Sequence, residues 1–337
     1  MPLFPILEVM PYSNQTEGSE WGRELEGRGK MSSFDTVVGL TMLLLSIVAV
    51  TVGLFNLYVI KKLPLFHTAF GCFWASRTVG EIGCNLSIMI YSAPVTIFQP
   101  KNISPNFGIA AYMVLLFFAA EACAMNQFVS ANRLFAVWEP LRYARIFTKR
   151  FVTIVIIFTW IATIAIVAVY FVFPCNHLGY SPQFYNFVFV KCPNVKRDYS
   201  ILTTIINRGC TSVCTLSIFF DCCTLYKIVH VKVTDKKTAK EEAFRRNVRF
   251  FAQNVTMMVI LITWVITNND TQSFSPGIFI FEFNMRIIAY LSNGLAIILF
   301  NPEVRRMAFR GGSSSMVEIK DTTTRTQNDD SNCVTIF

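Results

Sequence analysis

Seven separate stretches of this sequence are each long and apolar enough to cross a lipid bilayer as a helix. They cover residues 36–60, 66–93, 107–131, 151–173, 199–226, 248–267 and 278–300. A spanning helix needs about 20 mainly apolar residues. Hydrocarbon offers no hydrogen-bond partners, so each run must satisfy its backbone internally, which leaves helices or a closed barrel. Barrel strands read as short alternating segments, whereas these runs are long and continuous. The expected fold is an all-α membrane protein, a bundle of seven transmembrane helices. Composition agrees, with only 15% charged residues against roughly 25% in soluble domains. The second and seventh runs are the least purely apolar, and each carries an acid and an arginine.

Turn signals separate the runs. Pro64 falls in the first connection, and Pro94, Pro100 and Pro105 in the second. Pro140 follows the third run, Pro174 and Pro182 follow the fourth, and Pro276-Gly277 precede the last. No internal repeat is visible, which weakens a transporter reading. The start of the chain lacks the basic residues, apolar core and small-residue site of a cleavable signal, so the first run is expected to serve as the targeting signal. The net charge of +9 does not indicate nucleic acid, because the Lys and Arg residues sit in the short connections, as in membrane proteins. Twenty of them lie on one side and in the tail, and seven on the other. The crowded side is read as cytoplasmic, which puts the N-terminus outside and the C-terminus in the cytoplasm. Residues 1–35 are then an extracellular segment, 36–300 the transmembrane domain, 301–310 a candidate interfacial helix, and 311–337 a polar cytoplasmic tail expected to be disordered.

Two features agree with that orientation. Asn14-Gln15-Thr16 is a glycosylation sequon, useful only on the outside. Cys175 and Cys192 share the loop after the fourth run, in a compartment that permits disulfides, and are expected to pair. The other cysteines mostly lie inside apolar runs (Cys72, Cys84, Cys123, Cys210 and Cys214), where a thiol behaves as a small hydrophobe. Cys222 and Cys223 lie near a cytoplasmic helix end, as packing positions or as palmitoylation positions. His67, His177 and His230 sit at loops without metal-site spacing. No H-E-x-x-H, paired intramembrane aspartates or G-x-S-x-G is present. No enzyme activity, cofactor or metal is therefore expected.

The third run ends in Asn126-Gln127-Phe128-Val129-Ser130-Ala131-Asn132-Arg133-Leu134-Phe135-Ala136-Val137-Trp138-Glu139-Pro140-Leu141-Arg142-Tyr143. An arginine at a helix end alone reads as snorkelling, but burying one demands a partner. The pattern Asn132-Arg133, Phe135-Ala136-Val137, Pro140 and Tyr143 resembles the third-span signature of G-protein-coupled receptors. More narrowly it looks like that of the nematode serpentine chemoreceptors, class x. Phe70-Gly71-Cys72 is similar to that family's second-span entry. In the seventh run Asn293 takes the place of the Asn in the N-P-x-x-Y motif, and Asn301 to Arg305 match the opening of a short eighth helix. The chain departs from the common pattern in several places. Asn132 replaces the usual acid before Arg133, Trp264 lacks the usual nearby Pro, and the third run has no Cys near its outer end.

The resemblance implies a rhodopsin-like bundle in the plasma membrane, with the sensory cilium as a candidate site. It also implies an extracellular small-molecule ligand and a heterotrimeric G-protein partner. Asn132, Arg133, Pro140 and Tyr143, with Arg245 and Arg246 from the basic stretch 227–249, become the coupling residues. That stretch also suits anionic lipid. Asn293 and Trp264 become switch residues, and an intramembrane Asn must find a partner.

Intramembrane charges point to the ligand site. Glu282 and Arg286 lie four apart on one helix face, acid first, which is the favoured order. Arg77 and Glu81 form a similar pair, read as structural, and Glu121 lies mid-span. Arg208, Glu282 and Arg286 are expected to line an outward-open pocket with Tyr112 and Leu115, and the cationic surplus would favour an anionic or polar ligand. Leu115 stands about five turns above Arg133, where amine receptors carry an acid, which argues against an amine. The expected function is a chemosensory receptor. The alternative is a multi-pass channel or transporter not coupled to G proteins.

Overall fold

The computed structural model describes residues 21–173, 175–192, 197, 199–234 and 276–309. The sixth apolar run, 248–267, lies outside the described residues, as do Asn14, Arg245, Arg246, Trp264 and the tail from 311. Among the described residues, six helices are long and apolar enough to cross a membrane.

Helix α1, Ser33–Lys62, starts three residues before the apolar run because Ser32 and Asp35 cap one another. The Ser32 hydroxyl accepts from the Asp35 N–H, and the Asp35 carboxylate accepts from the Ser32 N–H. This reciprocal box satisfies donors that a helix start otherwise leaves open. The second run is read from sequence as ending at 93, with Pro94 in a loop. Instead, α2 (Ala69–Ser87) passes through a π turn (Ile88–Ser92) into α3 (Ala93–Phe98). Pro94 stands just beyond the π turn, in the first turn of α3. The chain then reverses at Gln99, in the left-handed region at φ 46°.

Pro105 opens α4, Pro105–Trp138, and Pro140 opens the short α5, Pro140–Ile146. Helix α6, Lys149–Val172, begins at Thr148, whose hydroxyl accepts from the Phe151 N–H. Strands β1 (Leu178–Ser181) and β2 (Asn186–Phe189) form an antiparallel hairpin with Leu178 opposite Phe189. Cys175 and Cys192 close its base with a disulfide. Helices α7 (Ile201–Thr234), α8 (Pro276–Phe300) and the short α9 (Pro302–Phe309) follow.

Helix α4 is central and packs against α2, α6 and α7, while α1 packs against α2 and α8. The lipid-facing surface is plain on α6. Ile154, Ile157, Phe158, Ile161 and Ile164 are between 51% and 67% exposed and recur at helical spacing. Such a stripe suits hydrocarbon, since monomeric soluble proteins rarely expose large apolar patches. Small residues let the buried faces approach. A Cβ at Gly80 would lie 2.8 Å from the Phe118 carbonyl oxygen. At Gly71, where the chain enters α2, a Cβ would lie 1.8 Å from the Phe66 carbonyl oxygen. Backbone cannot swing aside as a side-chain tip can. Gly71→Ala is therefore expected to destabilise the protein by about 1–3 kcal/mol. A lowered unfolding temperature of the purified protein in detergent would show it, and an unchanged one would refute close packing at Gly71.

Candidate functional site

The bundle carries chemistry at two ends and in its middle. At the hairpin end, aromatic side chains from five elements meet. The Phe187 ring lies 5.3 Å from Tyr112 of α4 and 5.9 Å from Phe283 of α8, and Tyr180 lies 5.7 Å from Phe283. Tyr112 also meets Tyr170 of α6 edge-on at 6.1 Å. Tyr170 in turn pairs with the Thr203 hydroxyl at 2.8 Å, joining α6 to α7. Leu115 packs on the same cluster as Phe283 and Ile287.

A strap formed by residues 22–29 crosses the hairpin. The Gly27 N–H donates to the Pro100 carbonyl at 2.7 Å, and the Gly29 N–H to that of Gln99 at 2.8 Å. Arg28 donates to Asp35 at 2.9 Å, to the Tyr185 hydroxyl at 3.3 Å and to the Gln183 carbonyl at 3.0 Å. The Tyr185 hydroxyl itself donates to Asp35. From beneath, Gln99 donates to the Pro182 carbonyl at 3.0 Å, and the Thr96 and Tyr180 hydroxyls pair at 2.6 Å. Burial pushes the Tyr180 phenol above its ordinary range. Burial, and then the Asp35 carboxylate, do the same for Tyr185. Both phenols therefore stay protonated and able to donate.

Glu282 and Arg286 pair at 2.6 Å with their side chains partly open. Arg208 does not join them. It is exposed on α7, and no described contact ties it to the pair. The reason is helical phase. The buried polar face of α7 carries Thr203, Ser217, Asp221 and Thr224, and Arg208 lies about 140° around the axis from both Thr203 and Asp221. The expected surplus of two arginines over one acid is thus not assembled among the described residues.

In the middle, Arg77 Nε donates to Glu81 at 2.9 Å, and the Asn293 amide donates to the same carboxylate oxygen at 2.5 Å. The guanidinium lies 5.0 Å from the Trp74 ring centre. Asn293 thereby finds its partner across the α2–α8 contact. Glu121 points elsewhere, toward α2 and α6, accepting from Ser76 at 2.7 Å and from Thr159 at 3.5 Å. Trp160 donates to the same Ser76 hydroxyl at 3.1 Å.

At the end opposite the hairpin, Arg133 is 3% exposed and donates to Asp221 of α7 at 3.0 Å. It also donates to the Ser130 hydroxyl at 3.2 Å, and Ser130 donates on to Asp221 at 3.3 Å. The acid missing beside Arg133 is thus supplied from another helix. Asp221 was not singled out in the sequence. The available signal is that it is the lone acid within the fifth apolar run. The Asn132 amide donates to the Tyr143 hydroxyl at 3.2 Å, so the α5 turn opened by Pro140 is tied to α4. Trp138 donates to the Cys223 carbonyl at 3.3 Å, with Lys227 over its ring. In α9, the Asn301 side chain accepts from the Glu303 N–H at 3.0 Å, and Val304 is buried.

This fold and these centres define a seven-transmembrane receptor, a multi-pass membrane protein of rhodopsin-like architecture. The chain belongs to the serpentine type 7TM GPCR chemoreceptor family Srx, whose family model matches residues 43–301. It is 25% identical over 128 residues to Serpentine receptor class X 45 of Caenorhabditis elegans, covering 38% of this chain and 36% of that one. It is 30% identical over 93 residues to the human Olfactory receptor 51A7, covering 28% and 30% respectively. Each match therefore spans about a third of the relative's length. Squid rhodopsin superposes with a TM-score of 0.66 at 11% identity, over 81% of this chain and 84% of the other, a likeness of fold. The family is one of receptors, not of enzymes.

Proposed function

We propose that this receptor takes an extracellular small molecule at the hairpin end and signals to a heterotrimeric G protein at the opposite end. The observation that carries this reading is the buried Arg133–Asp221 pair. A charged pair held 3.0 Å apart between two helices would part if those helices moved apart. Parting the helices at this end would present the guanidinium to a partner surface, beside Asn132, Pro140 and Tyr143. The basic residues Arg245 and Arg246 would add to that surface. The stapled hairpin and the sequon at Asn14 support an extracellular hairpin end, with the C-terminus cytoplasmic.

A ligand shifts such an equilibrium only by binding one state better than the other. The side chains gathered at that end, Tyr112, Leu115, Phe187 and Phe283, are aromatic or aliphatic, and the nearby Glu282–Arg286 pair is balanced in charge. That chemistry fits an uncharged molecule with an apolar body and one polar handle. A panel of odorants and polar metabolites, read by second-messenger output, identifies an agonist. With it in hand, Arg133→Ala is expected to abolish the response at an unchanged surface count. A full response from that variant would overturn the coupling role.

A further inference from the structure

The α4–α7 seam holds three thiols that the receptor reading leaves unused. Cys123 of α4 lies with its sulfur 3.7 Å from that of Cys214 on α7, and 3.8 Å from the carbonyl oxygen of Cys210. Cys72 and Cys84, by contrast, are fully buried, while Cys123, Cys210 and Cys214 are only partly so. Along the same seam follow the Gln127–Ser217 bond at 2.6 Å and then the Arg133–Asp221 pair. The seam is therefore polar along its length, and the thiols occupy its upper part. Among the described residues, no group of three ligating side chains could hold a metal ion. The thiols are thus left to sulfur chemistry.

We propose that Cys123 and Cys214 form a redox modification site, closed to a disulfide by a small hydroperoxide. A disulfide bond is about 2.05 Å long, so the sulfurs must approach by about 1.7 Å from their separation of 3.7 Å. One thiol, as its thiolate, attacks the peroxide. The O–O bond breaks, water leaves with the thiol proton, and a sulfenic acid remains. The second sulfur then attacks the sulfenic sulfur and releases a second water. Two thiols and one hydrogen peroxide thus give one disulfide and two waters. The peroxide is reduced and the two sulfurs are oxidised. The bond ties α4 to α7 on the seam that continues to Arg133 and Asp221, so it holds that pair closed. This last consequence rests on the coupling role proposed for Arg133.

The test uses the full-length receptor in lipid nanodiscs, treated with hydrogen peroxide, alkylated with N-ethylmaleimide under denaturing conditions and digested. Mass spectrometry is expected to find a reducible Cys123–Cys214 peptide only after peroxide, beside the constitutive Cys175–Cys192 peptide. Cys214→Ala should remove it and Cys210→Ala should keep it. Complete alkylation of Cys123 after peroxide overturns the site, and so does its pairing with Cys210. In cells, peroxide should suppress the agonist response of the parent at least several-fold and spare Cys214→Ala. A crosslinked receptor that signals as fully as the reduced one overturns the clamp. If Arg133→Ala is still silent in that case, the coupling role stands without it.

Discussion

Asp221→Asn is expected to raise ligand-independent signalling and to lower the stability of the receptor by about 3–5 kcal/mol. The amide keeps the shape of the carboxylate but removes its charge, so the buried Arg133 loses the countercharge that faces it at 3.0 Å. Arg133 and Asp221 both have side chains at most 3% exposed, so little solvent screens the loss. Ser130 would still accept from the guanidinium, but a hydroxyl does not balance a full charge. Two effects follow from one cause. The closed state loses its main attraction, which favours parting of α4 and α7, and the folded bundle loses stability. Basal second-messenger output per surface receptor measures the first, and thermal unfolding in detergent measures the second. A variant indistinguishable from the parent in both would show that the pair is neither a lock nor a prop.

The second large effect concerns the hairpin. Cys175 and Cys192 are 17 residues apart, and a crosslink closing a loop of that size stabilises by about 3 kcal/mol in the chain-entropy account. The same hairpin contributes Tyr180 and Phe187 to the aromatic cluster and anchors the strap through Gln183. Cys175→Ser is accordingly expected to reduce delivery to the cell surface several-fold, as counted by an antibody to an extracellular tag. Cys192→Ser should match it, and the double variant should be no worse than either single one, because both remove the same bond. Normal surface delivery of the single variants would contradict the staple.

The apolar runs made the number and course of the spans legible, because the bilayer imposes length and composition directly on the sequence. Pro105, Pro140 and Pro276 read from the sequence as turn signals between runs, and each instead opens a helix. Side-chain pairing is legible only inside one helix. Arg77–Glu81 and Glu282–Arg286 follow from a spacing of four, whereas Arg133 and Asp221 are 88 residues apart. Nothing in a local pattern fixes how two helices are rotated against each other. For the same reason Arg208, expected beside Glu282 and Arg286, stands apart from them. Its depth was readable but its azimuth was not. The strap was hidden for a different cause, since it is held mostly by backbone donors and by Arg28 and carries no periodic apolar signal.

The π turn at Ile88–Ser92 has a geometric effect on everything beyond it. One residue more than an α-helix needs delays the winding by about 100°. Thr96 and Gln99, both with no exposed surface, consequently point at Tyr180 and Pro182. Deleting a single amino acid from those five would restore even winding and swing both side chains around the barrel of the helix, toward neighbours that offer them no such contacts. The hold that Thr96 and Gln99 keep on the hairpin thus depends on one surplus amino acid a turn or two below them.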